Sequence, residues 1–355
     1  MDTVGSVGLA SGFLALFSLL LLKPFAVRVR LLLDLPNHRK VHKGAVPLTG
    51  GLSAFIGLFS AWMISMPLIG GYGIYLFASL MLVLLGAVDD ARDVPAEFRL
   101  WAQVALGALL TYGSGVSLVH FGDLFGLGVI ELGWLGPLVT IAAVIGATNS
   151  FNMIDGIDGL AGSLSLVALL SLSLLFLIAA PGNRLELVLA FGIAVSLLPY
   201  LAANLRVPPF RNRIFMGDAG AMFIGFSLVW LFMKGTQSES EALRPVTALW
   251  LVAIPLMDMV AIMIRRARKG QSLLKADREH LHHIFMRAGF TDRQALVVIT
   301  IVAVILAGIG LGGEYFRVPE WLMFALFVGV FAGYDWAMSH SWRLLVLFRR
   351  RSALK

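Results

Sequence analysis

The chain has 355 residues, of which 59% are hydrophobic and only 14% charged, against roughly 45–50% and about 25% in a soluble domain. With a mean hydropathy of +0.86, a water-soluble globular protein is excluded, because no single core of this length hides that much apolar surface from water. The absence of Cys excludes disulfides, thiolate metal sites and a thiol nucleophile, and the net charge of +7 reads as membrane sidedness, with no nucleic-acid partner expected.

A helix needs about 20 apolar residues to cross the hydrocarbon core. Stretches of that kind are predicted at 4–22, 46–66, 73–89, 98–119, 134–150, 160–180, 185–203, 214–233, 246–264, 294–313 and 320–338, which makes eleven spans. The first has no basic segment before it and is followed by Lys23, Arg28 and Arg30, so it is expected to be a retained helix and not a cleaved signal peptide. With the N-terminus outside, 24 of the 28 Lys and Arg fall on the inner side, and only Arg184, Lys234, Arg244 and Arg317 on the outer. That asymmetry predicts a periplasmic N-terminus and a cytoplasmic C-terminus. The expected fold class is an all-α polytopic membrane protein, a single integral membrane domain over 1–355. Its longest polar segment, 265–293, is expected to be a cytoplasmic loop carrying histidines.

The acids concentrate where the predicted spans meet the inner surface. Asp89 and Asp90 end the third span, Asp155 and Asp158 lie in Asn152-Met-Ile-Asp155-Gly-Ile-Asp158-Gly, and Asp218 sits in Phe215-Met-Gly-Asp218-Ala-Gly at the start of the eighth. Singly, each reads as a helix cap or turn residue. Together they are a different matter, since two carboxylates about 4 Å apart at an effective dielectric near 20 repel by roughly 4 kcal/mol. Such a cluster needs a cation or a shift in protonation. Oxygen donors without Cys point to a hard ion such as Mg²⁺, with Mn²⁺ as a substitute, completed by water and substrate phosphates. That is the pattern of phosphoryl transfer.

The basic residues extend the picture. Arg265-Arg266-Ala-Arg268-Lys269 opens the long segment as a positive-inside anchor, and His280-Leu-His282-His283 follows it. On a helix, His280 and His283 are expected to share a face while His282 points elsewhere. No His-Glu-x-x-His arrangement marks a zinc site, and there is no Walker or dinucleotide fingerprint. Glycines beside the acids, and Gly50-Gly51 opening the second span after Lys43, suit close backbone approach to phosphate; helix packing in lipid explains each one equally well. A secondary transporter is the competing class. It would carry ionisable residues near the bilayer midplane, whereas Asp258 and Asp335, the acids deepest in predicted spans, sit near cytoplasmic ends.

In this order, Asp89-Asp90, Asn152 to Asp158, Phe215 to Asp218 and His280 to His283 resemble the motifs of the polyprenyl-phosphate N-acetylhexosamine-1-phosphate transferases. Pro255-Leu-Met-Asp258, Arg268-Lys-Gly270 and Met286-Arg-Ala-Gly-Phe290 resemble the branch that uses N-acetylglucosamine. The resemblance implies a bacterial inner-membrane enzyme that passes a sugar-1-phosphate from a UDP-sugar such as UDP-GlcNAc to undecaprenyl phosphate, releasing UMP, with Mg²⁺ required. A 6-deoxy-N-acetylhexosamine donor and a homodimeric assembly both stay compatible with it. It implies Asp218, with Asp90, as the metal ligands, and Asp89 and Asp90 at the lipid phosphate, as general base or as a covalent nucleophile. Asp155 and Asp158 would lie near the nucleotide, with Lys43, Asn152, Asn204 and Phe215 in the uridine pocket. His280 as a catalytic group, with His282, His283 and Arg265, would hold the diphosphate and sugar.

Overall fold

The computed structural model describes residues 3–35, 44–179, 183–238, 240–271 and 280–340. In lipid every backbone N–H and C=O must be satisfied internally, and the long apolar runs accordingly form helices. These are α1 (Thr3–Val29), α2 (Gly50–Ser65), α3 (Tyr72–Arg92), α4 (Ala96–Ala108), α5 (Gly136–Ile154), α6 (Leu160–Ile178), α7 (Arg184–Asn204), α8 (Gly217–Thr236), α9 (Pro245–Leu251), α10 (Ala253–Arg268), α11 (Leu281–Arg287), α12 (Asp292–Tyr315) and α13 (Glu320–Ser339). The one paired strand segment among the described residues joins Leu33–Asp34 (β1) to Val46–Pro47 (β2).

Each of the eleven predicted stretches contains a helix, but not every one is a single straight span. Among the described residues, eight helices are long and apolar enough to cross a membrane, or nine if a bent pair counts as one. That pair is the predicted span 246–264, which is broken into α9 and α10 at an angle of 86°. Pro255 follows the break; its ring takes away the donor to the carbonyl four residues back and crowds it. Helix α2 has only 16 residues, and α4 has 13 before it widens into a π-helical turn over Leu109–Gly113.

The bundle is organised around α8, nearly all of whose residues are buried. Helices α2, α3 and α5 pack on it, while α1 packs on α2 and α7. Small residues permit this closeness. A Cβ on Gly51 would fall 2.0 Å from the Gly220 Cα, one on Gly86 2.4 Å from the Ala219 Cα, and one on Gly225 2.5 Å from the Ala147 carbonyl oxygen. Such backbone contact is the usual way helices associate where lipid offers no hydrophobic driving force. On the other side of the core, Trp62, Tyr72, Tyr75 and Trp230 stack between α2, α3 and α8.

The connections sort to two ends. At one end, the 114–135 segment meets Gln237 and Glu320, and Arg244 meets Glu314. At the other lie the C-termini of α3 and α5, the N-terminus of α8 and the whole of α11. There the chain after β2 is stitched to the start of α8: Phe215 N donates to Pro47 O at 2.9 Å, Gly50 N to Phe215 O at 3.0 Å, and Gly51 N to Met216 O at 2.9 Å.

Gly220→Val should therefore force α2 away from α8. A cost at or above the roughly 1–3 kcal/mol of core overpacking predicts a clearly lower melting temperature in detergent, and an unchanged melt would refute this account of the packing.

Candidate active site

Two helix ends of opposite polarity meet at the acidic end. Helix α3 finishes with Asp89-Asp90, an unfavourable place for negative charge because the C-terminal carbonyls already carry the negative end of the helix dipole. Helix α8 starts beside it with unpaired N–H groups and the positive end. Asp90 bridges the two: its Oδ1 accepts from Asp218 N at 2.9 Å and its Oδ2 from Ala219 N at 3.3 Å. Gly217 makes this approach possible, with φ at +76° and a missing Cβ that would lie 2.5 Å from the Asp90 carboxylate.

Asp89 turns the other way. Its Oδ1 accepts from Val94 N at 2.7 Å, its Oδ2 is paired with Arg99 of α4, and its side chain is 2% exposed. The same Arg99 nitrogen reaches Asp218 Oδ2 at 3.3 Å. Arg99 thus sits between two carboxylates from different helices, held there by α4, which begins right after Pro95. Asp218 is less enclosed, with 28% of its side chain exposed.

Asp155 ends α5. Burial, then the charge of Asp90, then that of Asp158, push its carboxyl up to about 7. Keeping it ionised at neutral pH therefore calls for a cation or donor beyond those three groups. Asp158 is paired with Arg213 Nε at 3.0 Å.

The histidines complete the wall, in an arrangement different from the expected one. Helix α11 begins only at Leu281, so His280 is its N-cap, outside the helix. The face-sharing of His280 and His283 does not arise, and His282 does not point elsewhere. The rings lie together instead, His282 stacked 5.7 Å from His280 and 4.2 Å from His283. His282 is 1% exposed and lies against Gly156, where a Cβ would come 2.0 Å from its Nε2. Neither of its ring nitrogens has a hydrogen-bond partner among the described residues. Burial, with His283 and His280 adding to it, lowers its pKa to about 3, so the ring is neutral.

The structure thus gathers Asp89, Asp90, Asp155, Asp158, Asp218 and the three histidines at one end. Asn152 lies one turn before Asp155, half-buried, with its carbonyl accepting from Asp155 N at 3.4 Å. Phe215 is half-buried at the entrance to α8. Asn204 takes a different position from the one implied for a uridine contact. It is 2% exposed and donates to Ile214 O at 2.8 Å, so it braces the segment that carries Phe215 from beneath. Lys43 lies outside the described residues. Arg265 belongs to the last turn of α10, and with Arg268, Lys269 and Arg287 it lines a basic pocket of about 340 Å³. The segment 265–293 is thus not one loop; it contains the end of α10, all of α11 and the start of α12.

Residues 72–236 match the model of glycosyl transferase family 4. Over 343 residues, 95% of the chain and 93% of the relative, the sequence is 41% identical to an undecaprenyl-phosphate alpha-N-acetylglucosaminyl 1-phosphate transferase of Yersinia pestis. It is 42% identical over 338 residues to the Pasteurella multocida protein of that name, covering 95% of the chain and 94% of the relative. For the Escherichia coli K12 protein the figures are 41% over 320 residues, 90% and 87%. The chain belongs to glycosyl transferase family 4. The expected kinship with polyprenyl-phosphate sugar-1-phosphate transferases holds, and the family match spans the helices that bear all five aspartates, with the histidines lying beyond it.

Two residues of this site escape a reading of the sequence, Arg99 and Arg213. Both count there only toward the positive-inside total. Arg99 stands one short turn and a helix start after Asp89, and that folding-back was the available signal.

Arg99→Leu leaves the Asp89 and Asp218 carboxylates facing each other without their shared cation, and transferase activity should fall by about 10² or more, the scale of losing one preorganised charge contact. Arg99→Lys should recover part of it. UMP release from membranes containing equal amounts of each variant measures this, and wild-type rates for Arg99→Leu would rule the role out.

Proposed function

We propose that this chain transfers N-acetylglucosamine-1-phosphate from UDP-GlcNAc to undecaprenyl phosphate at the cytoplasmic face of a bacterial inner membrane. The observation that carries the reading is the convergence of Asp89, Asp90, Asp155, Asp158 and Asp218 with Arg99 and Arg213 at one end of a membrane bundle. The name shared by relatives 41–42% identical over nearly the full length supports it. The acidic end is taken as cytoplasmic because the sequence's Lys and Arg concentrate on its connections, and a soluble UDP-sugar meets a lipid phosphate only at such an interface.

In this reaction an oxygen of the lipid phosphate attacks the phosphorus that bears the sugar. The diphosphate bond to UMP breaks, and UMP departs with the bonding electrons. One diphosphate is lost and one is formed, so the step is close to thermoneutral and the enzyme's task is to bring two anions together and hold the developing charge. Arg99 and Arg213 supply fixed positive charge near the reacting groups. Asp89 and Asp90 have their oxygens committed to Arg99, Val94 N–H and the α8 N-terminus, contacts that blunt them as nucleophiles. The lipid phosphate is itself largely ionised at neutral pH and needs no strong base. These points favour direct attack over a covalent aspartyl intermediate.

The donors present fit Mg²⁺. They are oxygen only, and Asp218 keeps its carboxylate partly open. Among the described residues no three Asp, Glu or His side chains form a closed cage, which suits an ion that takes one or two carboxylates and fills its shell with water and substrate phosphates. Asp218 would be the principal ligand, with Asp90 beside it, and the bound ion would neutralise diphosphate charge. His282 and His283 would border the sugar-phosphate, His282 as a neutral ring.

Asp218→Asn should abolish transfer, by about 10³-fold or more, in protein that still extracts and melts like the wild type; full activity would remove Asp218 as the ligand. Exchange of labelled UMP into UDP-GlcNAc should require undecaprenyl phosphate. Exchange in its absence would overturn direct attack in favour of a covalent enzyme intermediate.

A further inference from the structure

Outside the aspartate cluster, one buried carboxylate collects three donors from two segments of chain. Asp258, on α10, is 1% exposed. Its Oδ2 lies 2.9 Å from His280 Nδ1, while its Oδ1 accepts from Leu281 N at 3.0 Å and from the Tyr334 hydroxyl of α13 at 2.7 Å. We infer that Asp258, steadied by Tyr334, is a positioning residue that sets the ring orientation and the tautomer of His280 for the transfer reaction.

The chemistry of the contacts carries this. A carboxylate only accepts, so a hydrogen bond from the imidazole requires the proton to be on Nδ1, and Nε2 becomes the nitrogen left for the site. Leu281 N–H is one of the donors that the first turn of α11 cannot satisfy internally. Asp258 therefore fixes where α11 starts and how the ring at its N-cap is turned, with one atom for each task. Tyr334 prevents the Oδ1 side from swinging, since its hydroxyl approaches from a helix that neither α10 nor α11 carries. The ring held this way stacks on His282, which rests on Gly156 beside Asp155. An error in the His280 rotamer would thus be passed directly to the wall of the site. A tether of purely structural purpose would be complete with the Leu281 and Tyr334 bonds; the second carboxylate oxygen is given entirely to the imidazole.

The inference rests on the proposed transferase function for its kinetic test and is independent of it for its spectroscopic one. In purified full-length protein, Asp258→Asn should lower kcat about ten- to hundredfold, the range seen when a partner that orients a functional His is lost, with KM for UDP-GlcNAc little changed. Tyr334→Phe, which removes a single hydroxyl, should lower kcat about fivefold, the equivalent of one hydrogen bond. In a His280→Ala background both substitutions should have no further effect, because each acts through that ring. Losses that multiply in the double variants, or wild-type kcat in both single variants, overturn the assignment. Should Asp258→Asn fail to fold, judged by its melt in detergent, Tyr334→Phe alone runs the same cycle. In histidine-¹⁵N-labelled protein in alkaline buffer, the His280 signal, identified by its disappearance in His280→Ala, should report the Nδ1–H tautomer and shift toward a mixture in Tyr334→Phe. A wild-type Nε2–H tautomer overturns the inference whatever the activity. Failure of the wild type to release UMP from UDP-GlcNAc with undecaprenyl phosphate would overturn the transferase reading instead.

Discussion

Asp90 closing the N-terminus of α8 is the interaction on which the acidic end depends. Two aspartates at the end of α3 oppose that helix's own dipole, and each such placement is unfavourable by about 0.3–1 kcal/mol at an exposed helix end and more in partly buried geometry. The arrangement persists because α8 runs antiparallel alongside, close enough for its first N–H groups to receive the Asp90 carboxylate. That closeness is a packing result, set by Gly86 against Ala219 and by the left-handed backbone of Gly217. Once the two ends are joined, Asp218 is carried to Asp89, and a cation between them relieves the repulsion of the pair. Arg99 fills that need in the protein alone, and a metal ion with substrate phosphates would meet it in the complex.

The sequence was legible where physics acts locally. Each predicted apolar run contains a helix, because lipid leaves an isolated backbone no alternative, and the aspartates lie at the ends where turn and cap residues announce them. What could not be read was long-range. The apolar run 246–264 reads as a straight span, and the bend at Val252, just before Pro255, brings α9 against α12. His280 was placed on a helix that starts one residue later, and a shift of one residue there changes which rings meet. Arg99 and Arg213 looked like anchors for orientation because charge at a membrane surface has that bland use. Their pairing with Asp89 and Asp158 depends on loops folding back, which spacing alone does not encode. Asn204 shows the converse, since a polar residue in a motif-like position turns out to support the segment that carries Phe215.

The two ends of the bundle use their charged groups differently. At the far end Arg244 is fully used: it donates to Glu314, to the carbonyls of Val318 and Gly313, and Glu314 also receives the Thr247 hydroxyl. Lys234 is likewise paired with Glu186 and lies over the Tyr72 and Trp230 rings. These networks pair the charges of that end with one another, beside a cavity of about 590 Å³ lined in part by Arg244 and Glu314. At the acidic end Asp155 is pushed up to about 7, and His282 is buried with both nitrogens lacking partners among the described residues. A buried polar group without a partner costs roughly 1–3 kcal/mol, which a bound group that supplies the partner recovers. In the proposed reaction a diphosphate with its cation would supply what both lack, charge for the carboxylate and hydrogen-bonding groups for the ring.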